Sequence, residues 1–363
     1  MDRDGGCGYG NLLSHRGVFC RLLDLVAPGM DLKLGGFIMK DKPSFVIIGA
    51  GKVGSALGIL LKERGYVPLG VFSKTASSAE TLAEKIQTKR YSQASEAAKI
   101  ADLVFITTTD REIAATASML ALKGGCGPGQ IFIHTSGALG SDVMQPLRDH
   151  GALAMSVHPL QSFADVDSAK KNLPGSCFAL EGDGEALDTC KQLVEDLQGQ
   201  YFIIKPEDKP LYHAAAVVAS NYLVSIINLS TSMYQNLGLN EEQSLAALLP
   251  LVQGTLNNIL RSGSAAALTG PVARGDGATV IKHMKALKNM DWRAQEAYRY
   301  LGLYTVGMAM ESGRISPKEG TALNNIFMEV ENNEQKGNHC RLPAYEAGGQ
   351  TTSHVNLLRL FNG

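Results

Sequence analysis

The chain has 363 residues, 45% of them hydrophobic and 19% charged, with a formal net charge of -1. This is globular composition for about two domains, and it excludes wholesale disorder. The near-neutral balance excludes a broad basic face for nucleic acid, and no uninterrupted apolar run approaches the roughly 20 residues that span a bilayer.

Residues 1–40 read as a poorly ordered extension, rich in glycine and without a sustained period. Met30 and Met39 are alternative starts, and Asp2, Arg3 and Asp4 do not make the positive end of a signal peptide. Of the six cysteines, no two form a C-x-x-C pair and none has zinc-site spacing with histidine, so no metal is expected. A reducing cytoplasm follows as the expected compartment.

The convincing structure begins at Ser44-Phe45-Val46-Ile47-Ile48, a short β-branched run that fits a buried strand. A turn follows, Gly49-Ala50-Gly51-Lys52-Val53-Gly54, and then a helix to about Arg64 with Leu57, Leu60 and Leu61 on one face. Glycines at this spacing, between a strand and a helix, serve a dinucleotide. The first makes the tight turn, the second lets backbone approach a pyrophosphate, and the third lets the helix pack on the strand. The helix N-terminus faces the negative charge.

Val67 to Phe72 is the second predicted strand, and Ala76 to Ile86 the second helix. At the strand end stand Ser73, Lys74 and Thr75, with no carboxylate before Glu80. An NAD site places Asp or Glu there for the ribose 2′-hydroxyl. A cation among hydroxyls suits a 2′-phosphate, so NADP is expected over NAD. Ser73 and Thr75 also suit helix caps.

Further strands are predicted at Asp102–Thr107, Ile131–Ile133, Ala152–Val157, Cys177–Leu180 and Tyr201–Ile204, with helical stretches between most of them. This alternation predicts an α/β, doubly wound parallel sheet over residues 41–205. Polar clusters fall at the strand ends, where such sheets bind ligands. Thr107, Thr108 and Thr109 could line the cofactor, with Asp110 as the N-cap of a helix over 111–122. His134-Thr135-Ser136-Gly137 ends one strand, and Ser156-Val157-His158-Pro159-Leu160-Gln161 ends the next. A histidine there could exchange a proton during hydride transfer; a hydrogen-bonded structural histidine is the plain alternative.

After Pro206 the period turns helical. One long helix is predicted from Lys209 to about Leu237, with Lys209 and His213 one turn apart and Asn221 near the same face. These three could orient a substrate, though Lys209 could equally be exposed near a helix start. Helices follow at about Glu241–Ser262, Ala278–Leu287, Asp291–Glu311 and Pro317–Glu331. Arg274, in a Gly/Pro loop, could receive a carboxylate or phosphate, or make an ordinary ion pair. Residues 206–333 make an all-α domain. Residues 334–363 read as an irregular tail, or as an arm built on Val355, Leu357, Leu358, Leu360 and Phe361.

Five stretches carry a resemblance: VIIGAGKVGS at Val46–Ser55, HTSGAL at His134–Leu139, SVHPLQSF at Ser156–Phe163, YHAAAVVASNY at Tyr212–Tyr222 and ALTGPVARGDGATV at Ala267–Val280. Over about residues 41–330 the chain resembles the Rossmann-like and DUF2520 domain-containing proteins. These are similar to ketopantoate reductase, pyrroline-5-carboxylate reductase, prephenate dehydrogenase and the deazaflavin-dependent NADP reductase. The resemblance implies an NADP-dependent oxidoreductase with a helical domain that forms a homodimer, and does not settle the substrate; the polar residues at the strand ends and on the Lys209 helix point to a small, anionic carbonyl or hydroxy compound. Ser136 and His158-Pro159 match a Ser and a His-Pro of prephenate dehydrogenases, which implies that His158 handles the proton. Lys209 matches a lysine of ketopantoate reductases, but His213 stands where they carry Asn. Gln161 and Arg274 are expected at the substrate. Two rivals remain: a non-catalytic NADP-binding sensor or partner-binding dimer, and a deazaflavin-linked (F420) reductase.

Overall fold

The computed structural model describes residues 42–328. The expected extension over 1–40, with its alternative starts, and the tail over 334–363 lie outside the described residues. Contacts divide the chain into two compact units that meet between Ala214 and Ala215.

The first unit runs β1 (Ser44–Ile48), α1 (Lys52–Glu63), β2 (Val67–Phe72), α2 (Ala76–Ile86), α3 (Ala94–Ala98), β3 (Leu103–Ile106), α4 (Asp110–Leu122), β4 (Ile131–His134), α5 (Gln145–Arg148), β5 (Leu153–Pro159), α6 (Val166–Asn172), β6 (Cys177–Gly182), α7 (Gly184–Asp196) and β7 (Gln200–Ile203). It ends within α8 (Lys209–Ala219). One seven-stranded sheet has the order β2-β1-β3-β4-β5-β6-β7. Side chains alternate across it. Phe45 and Ile47 enter one core with Leu57, Leu60 and Leu61 of α1, while Val46 and Ile48 enter the other with Ile113 and Leu120 of α4. Helices cover both faces, which is why these strands read as unbroken apolar runs.

The expected all-parallel sheet needs one correction, because β6 runs antiparallel to β5. The connection explains it. The seven residues of α6 rise about 10 Å, against about 23 Å for the seven of β5. The chain does not travel back to the far end of β5, so β6 starts beside the end of β5 and returns along it. Strand β7 then pairs parallel to β6.

The second unit holds α9 (Asn221–Gln235), α10 (Glu241–Ser262), α11 (Ser264–Ala267), α12 (Gly277–Leu287), α13 (Trp292–Glu311) and α14 (Pro317–Met328). Its core gathers Val272, Val280, Val306, Ala309, Ile315, Leu323 and Phe327. The predicted single helix from Lys209 is two helices. The backbone departs from helical geometry at Ser220 (φ -115°, ψ -69°), so Asn221 opens α9 and does not continue the face of Lys209 and His213. By length and composition alone the helical stretch Pro206–Gln235 is apolar enough to cross a membrane, although Lys209, His213, Ser220 and Asn221 interrupt its apolar run.

Candidate active site

The glycine turn joins β1 to α1. Gly49 has φ +110°, a conformation that side chains disfavour, and its N–H donates to the Phe72 carbonyl at 2.8 Å. A Cβ on Gly54 would lie 2.2 Å from the Gly49 oxygen and 2.3 Å from Thr107 Oγ1. This glycine is therefore needed for close packing. A Cβ on Gly51 would meet nothing within 4 Å. The protein does not fill the space beside Gly51, which is also the N-cap of α1 and lacks a side-chain cap bond. A glycine without a packing reason, at an uncapped helix N-terminus, fits a bound phosphate.

Thr107 and Thr108 stand just beyond β3. Thr107 Oγ1 donates to the Gly49 oxygen at 2.7 Å and ties the two strand ends together. Thr108 Oγ1 is buried and has no hydrogen-bond partner among the described residues. An orphaned hydroxyl beside the glycine turn fits a ligand that has yet to satisfy it. Asp110 is the first residue of α4 and the N-cap is Thr109, which corrects the expected cap by one position. Ser73, Lys74 and Thr75 follow β2, and Thr75 is the N-cap of α2 without a side-chain cap bond. Lys74 pairs with Glu112 of α4, a partner that sequence spacing does not reveal.

The second cluster lies at the ends of β4 and β5. His134 Nε2 bonds the Gly140 carbonyl at 3.0 Å, and its Nδ1 accepts from the Ser136 amide at 3.2 Å. These partners assign the proton to Nε2. Burial, and then the Lys209 charge, push its pKa down to about 4. His134 is thus a neutral, hydrogen-bonded structural residue. Ser136 Oγ accepts from the Ala138 and Leu139 amides, which builds the turn.

Lys209 is 1% exposed. Its Nζ donates to Ser156 Oγ and to the Ser136 carbonyl. The ammonium is buried beneath the two strand ends, not exposed at a helix start. Burial lowers its pKa to about 8, against the opposing pull of Glu181, Asp110 and Asp142. Glu181, buried on β6, accepts from the Ser141 amide and hydroxyl at 2.8 and 2.7 Å. It pairs in register with Ser156 across the antiparallel strands. A lone Glu within the apolar run Cys177–Gly182 is the only sequence signal for it.

His158 stands near the end of β5. Its Nδ1 lies 2.6 Å from the Tyr212 hydroxyl, and no hydrogen bond to its Nε2 occurs among the described residues. Burial first, then the Lys209 and His213 charges, push its pKa down to about 4. His213 packs edge-on to it, with ring centroids 6.3 Å apart, and keeps a buried, unpartnered Nδ1. Gly137 makes room for both rings: a Cβ there would lie 2.6 Å from His213 Nδ1 and 2.9 Å from His158 Nε2. Ser136, His158, Lys209 and His213 are therefore one cluster. Gln161 is exposed just past β5, where its amide donates to Ser176 Oγ at 3.2 Å. Asn221 and Arg274 are exposed residues of the second unit. No group of three potential metal ligands occurs among the described residues.

Residues 33–159 match the Rossmann-like domain family, and residues 176–305 match the domain of unknown function DUF2520. Among curated proteins none matches the chain. Among solved structures, protein TM1727 from Thermotoga maritima is 28% identical, covers 75% of this chain and 100% of its own, and has a TM-score of 0.61. BF3122 from Bacteroides fragilis, described as an NADP oxidoreductase, is 22% identical, covers 72% and 96%, and has a TM-score of 0.59. An imine reductase from Pseudomonas sp. is 17% identical, covers 79% and 98%, and has a TM-score of 0.54. The last two share the fold. The chain thus carries a Rossmann-like domain followed by a DUF2520 domain.

Proposed function

We propose that the protein is an NADP-dependent oxidoreductase that passes hydride to or from a small, anionic carbonyl or hydroxy compound. One observation carries this reading. At the carboxyl edge of a single sheet, a glycine turn with open space beside Gly51 follows β1, and β5, three places along, carries a neutral histidine whose Nε2 has no hydrogen-bond partner among the described residues. The turn suits a dinucleotide and the histidine suits a proton transfer, and a hydride reaction at a carbonyl needs both.

The amides of the turn Gly49–Gly54 and the N-terminus of α1 would hold the pyrophosphate. Thr107, Thr108 and Thr109 would line the nucleotide, and Ser73, Lys74 and Thr75 would meet the 2′-phosphate. A bound nicotinamide supplies the hydride. His158 Nε2 gives the reacting oxygen its proton in reduction and removes it in oxidation. Buried Lys209 orders Ser156 and Ser136, and its positive charge beneath the site favours an anionic substrate. His213 and Gly137 set the place of the His158 ring.

The test is a fluorescence titration with NADPH and NADH, followed by turnover against oxo acids, imines and hydroxy acids. NADPH should bind at least about tenfold tighter than NADH. His158→Ala should abolish turnover and leave NADPH affinity unchanged. Failure to bind either nucleotide, or turnover that survives His158→Ala, sinks the reading.

The helical unit is proposed to form a homodimer. Support comes from its exposed apolar side chains, among them Val224 at 69%, Leu251 at 65% and Leu260 at 83%. Patches of this kind mark association surfaces, and a second copy is the partner always present. Light scattering of the purified chain measures the mass directly, and a monomer at all concentrations excludes the dimer.

A further inference from the structure

We propose that Tyr212 is a positioning and proton-relay residue for His158, holding Nδ1 and replacing the proton that Nε2 gives to the substrate. The proposal deepens the oxidoreductase reading and rests on it.

The geometry is specific. The Tyr212 hydroxyl lies 2.6 Å from His158 Nδ1, and the two rings meet edge-on with centroids 5.6 Å apart at 84°. The edge-on contact of Phe202, 5.8 Å away, fixes the phenol from another side. Gly137 closes the opposite side of the imidazole, 2.9 Å from Nε2 to where a Cβ would stand. The imidazole is therefore held on one nitrogen and against one edge, with Nε2 as its unpaired polar atom among the described residues. Tyr212 itself remains partly exposed.

The charges nearby give the arrangement a purpose. An ordinary acid–base histidine works through its imidazolium form. Here that cation would stand near the Lys209 ammonium of α8 and His213 of the same helix, and near His134 of β4, in a buried site. With its pKa at about 4, only about one His158 in a thousand carries the charge at pH 7. A neutral imidazole can still deliver a proton if a second group refills it.

The steps balance. In the resting state the Tyr212 O–H donates to Nδ1, and Nε2 carries the hydrogen. As hydride reaches the substrate carbon, the Nε2–H bond breaks and a new O–H bond forms on the substrate. The Tyr212 proton moves to Nδ1, and water returns a proton to the phenol oxygen. The last two transfers are concerted, because burial holds the Tyr212 pKa up to about 12 and a free phenolate does not accumulate. His158 ends as the Nδ1–H tautomer, donating to the Tyr212 oxygen, with a lone pair on Nε2. That form is the base for the reverse, oxidising reaction. Reprotonation of Nε2 from water restores the start, as the Nδ1 proton returns to the Tyr212 oxygen and the proton that oxygen had taken from water leaves to solvent.

The test uses Tyr212→Phe, which removes one oxygen and keeps the ring. In protein labelled with 15N-histidine, long-range 1H–15N correlation at pH 7 should show His158 as the Nε2–H tautomer with a hydrogen-bonded Nδ1. In Tyr212→Phe that Nδ1 signal should move to the position of a free nitrogen. Melting temperature and NADPH affinity should be unchanged. With a substrate found in the turnover screen, kcat should fall about 10- to 100-fold with KM within about twofold. The solvent-isotope proton inventory should change from curved in the parent protein to linear in the variant. Unchanged kcat, or a His158 Nδ1 signal unaffected by the substitution, overturns the relay. Absence of any hydride transfer by the parent protein, with the Nδ1 shift intact, overturns instead the oxidoreductase reading and the relay with it.

Discussion

The two units use their apolar residues in opposite ways. The first spends them inward: two cores flank one sheet, and Phe45, Phe105, Phe132 and Phe178 are fully buried. The second keeps a small core from α12, α13, α14 and their connections, while α9 and α10 bury only Thr231, Ser244 and Leu248. Both are apolar by composition, so composition does not separate them. Whether the apolar side chains meet partners within the same chain does. The first unit owes its stability to its own burial and can hold a rigid, charged site at the sheet edge. The second presents apolar surface that its own helices leave open, which is the basis for the proposed dimer.

That contrast can be broken by substitution, and the largest effect belongs to the glycine turn. Gly54→Val forces a side chain into the Gly49 oxygen and Thr107, and should both destabilise the first unit and abolish nucleotide binding, as read by thermal melting and fluorescence titration. Gly51→Ala has room in the protein, so its melting temperature should stay within about 2 °C while NADPH affinity falls more than about tenfold. A Gly51→Ala protein that binds normally would remove the pyrophosphate from this turn.

Next in size is the core itself. Phe105→Ala should cost about 3–5 kcal/mol by urea unfolding, because a fully buried ring leaves a cavity that neighbouring strands cannot collapse around. Leu260→Ser, on the open surface of α10, should leave that stability within about 0.5 kcal/mol and instead weaken the proposed dimer, seen as a lower mass at low concentration. If Leu260→Ser unfolds the chain and leaves the mass unchanged, the contrast between the units is wrong.

The buried histidines make the first unit acid-sensitive. His134 and His158 both have folded pKa values lowered to about 4 from 6.5. The unfolded chain therefore takes up protons first as pH falls. Stability is complete above about pH 6.5 and is lost between pH 6.5 and 4, by on the order of 3 kcal/mol for each histidine at most. Urea midpoints measured across that range check the sign, and a midpoint that rises towards pH 4 refutes it.

The smallest expected effect concerns cofactor choice. Lys74 is engaged with Glu112, and a 2′-phosphate must compete with that carboxylate. Glu112→Gln should raise NADPH affinity about two- to fivefold and leave NADH affinity unchanged, since an exposed ion pair contributes little. Equal gains for both nucleotides would place the pair away from the 2′ position.

Much of this is legible in the sequence. Strands β1 to β7 and the helices of the second unit follow from local apolar period. The glycine turn follows from spacing, because its packing demands lie within a few residues. The antiparallel β6 was not legible, since it depends on the length of α6 relative to β5. Nor was the break at Ser220, because the apolar helical period continues on both sides of it. Lys209 reads as an exposed residue near a helix start or as a grip on substrate. Its burial under Ser136 and Ser156 comes from contacts made with residues 73 and 53 positions earlier.

The sequence by itself determined the order of elements, the turn that suits a phosphate, and the histidine at the strand end. These are local properties, set by side-chain period and backbone freedom. Only the tertiary structure decided which histidine is locked and which is free. His134 finds Gly140 six residues away and is satisfied on both nitrogens. His158 finds Tyr212 54 residues away and is satisfied on one. Both are strand-end histidines in apolar runs, and no local rule separates them. Their different hydrogen bonds arise from what the folded chain brings against each ring.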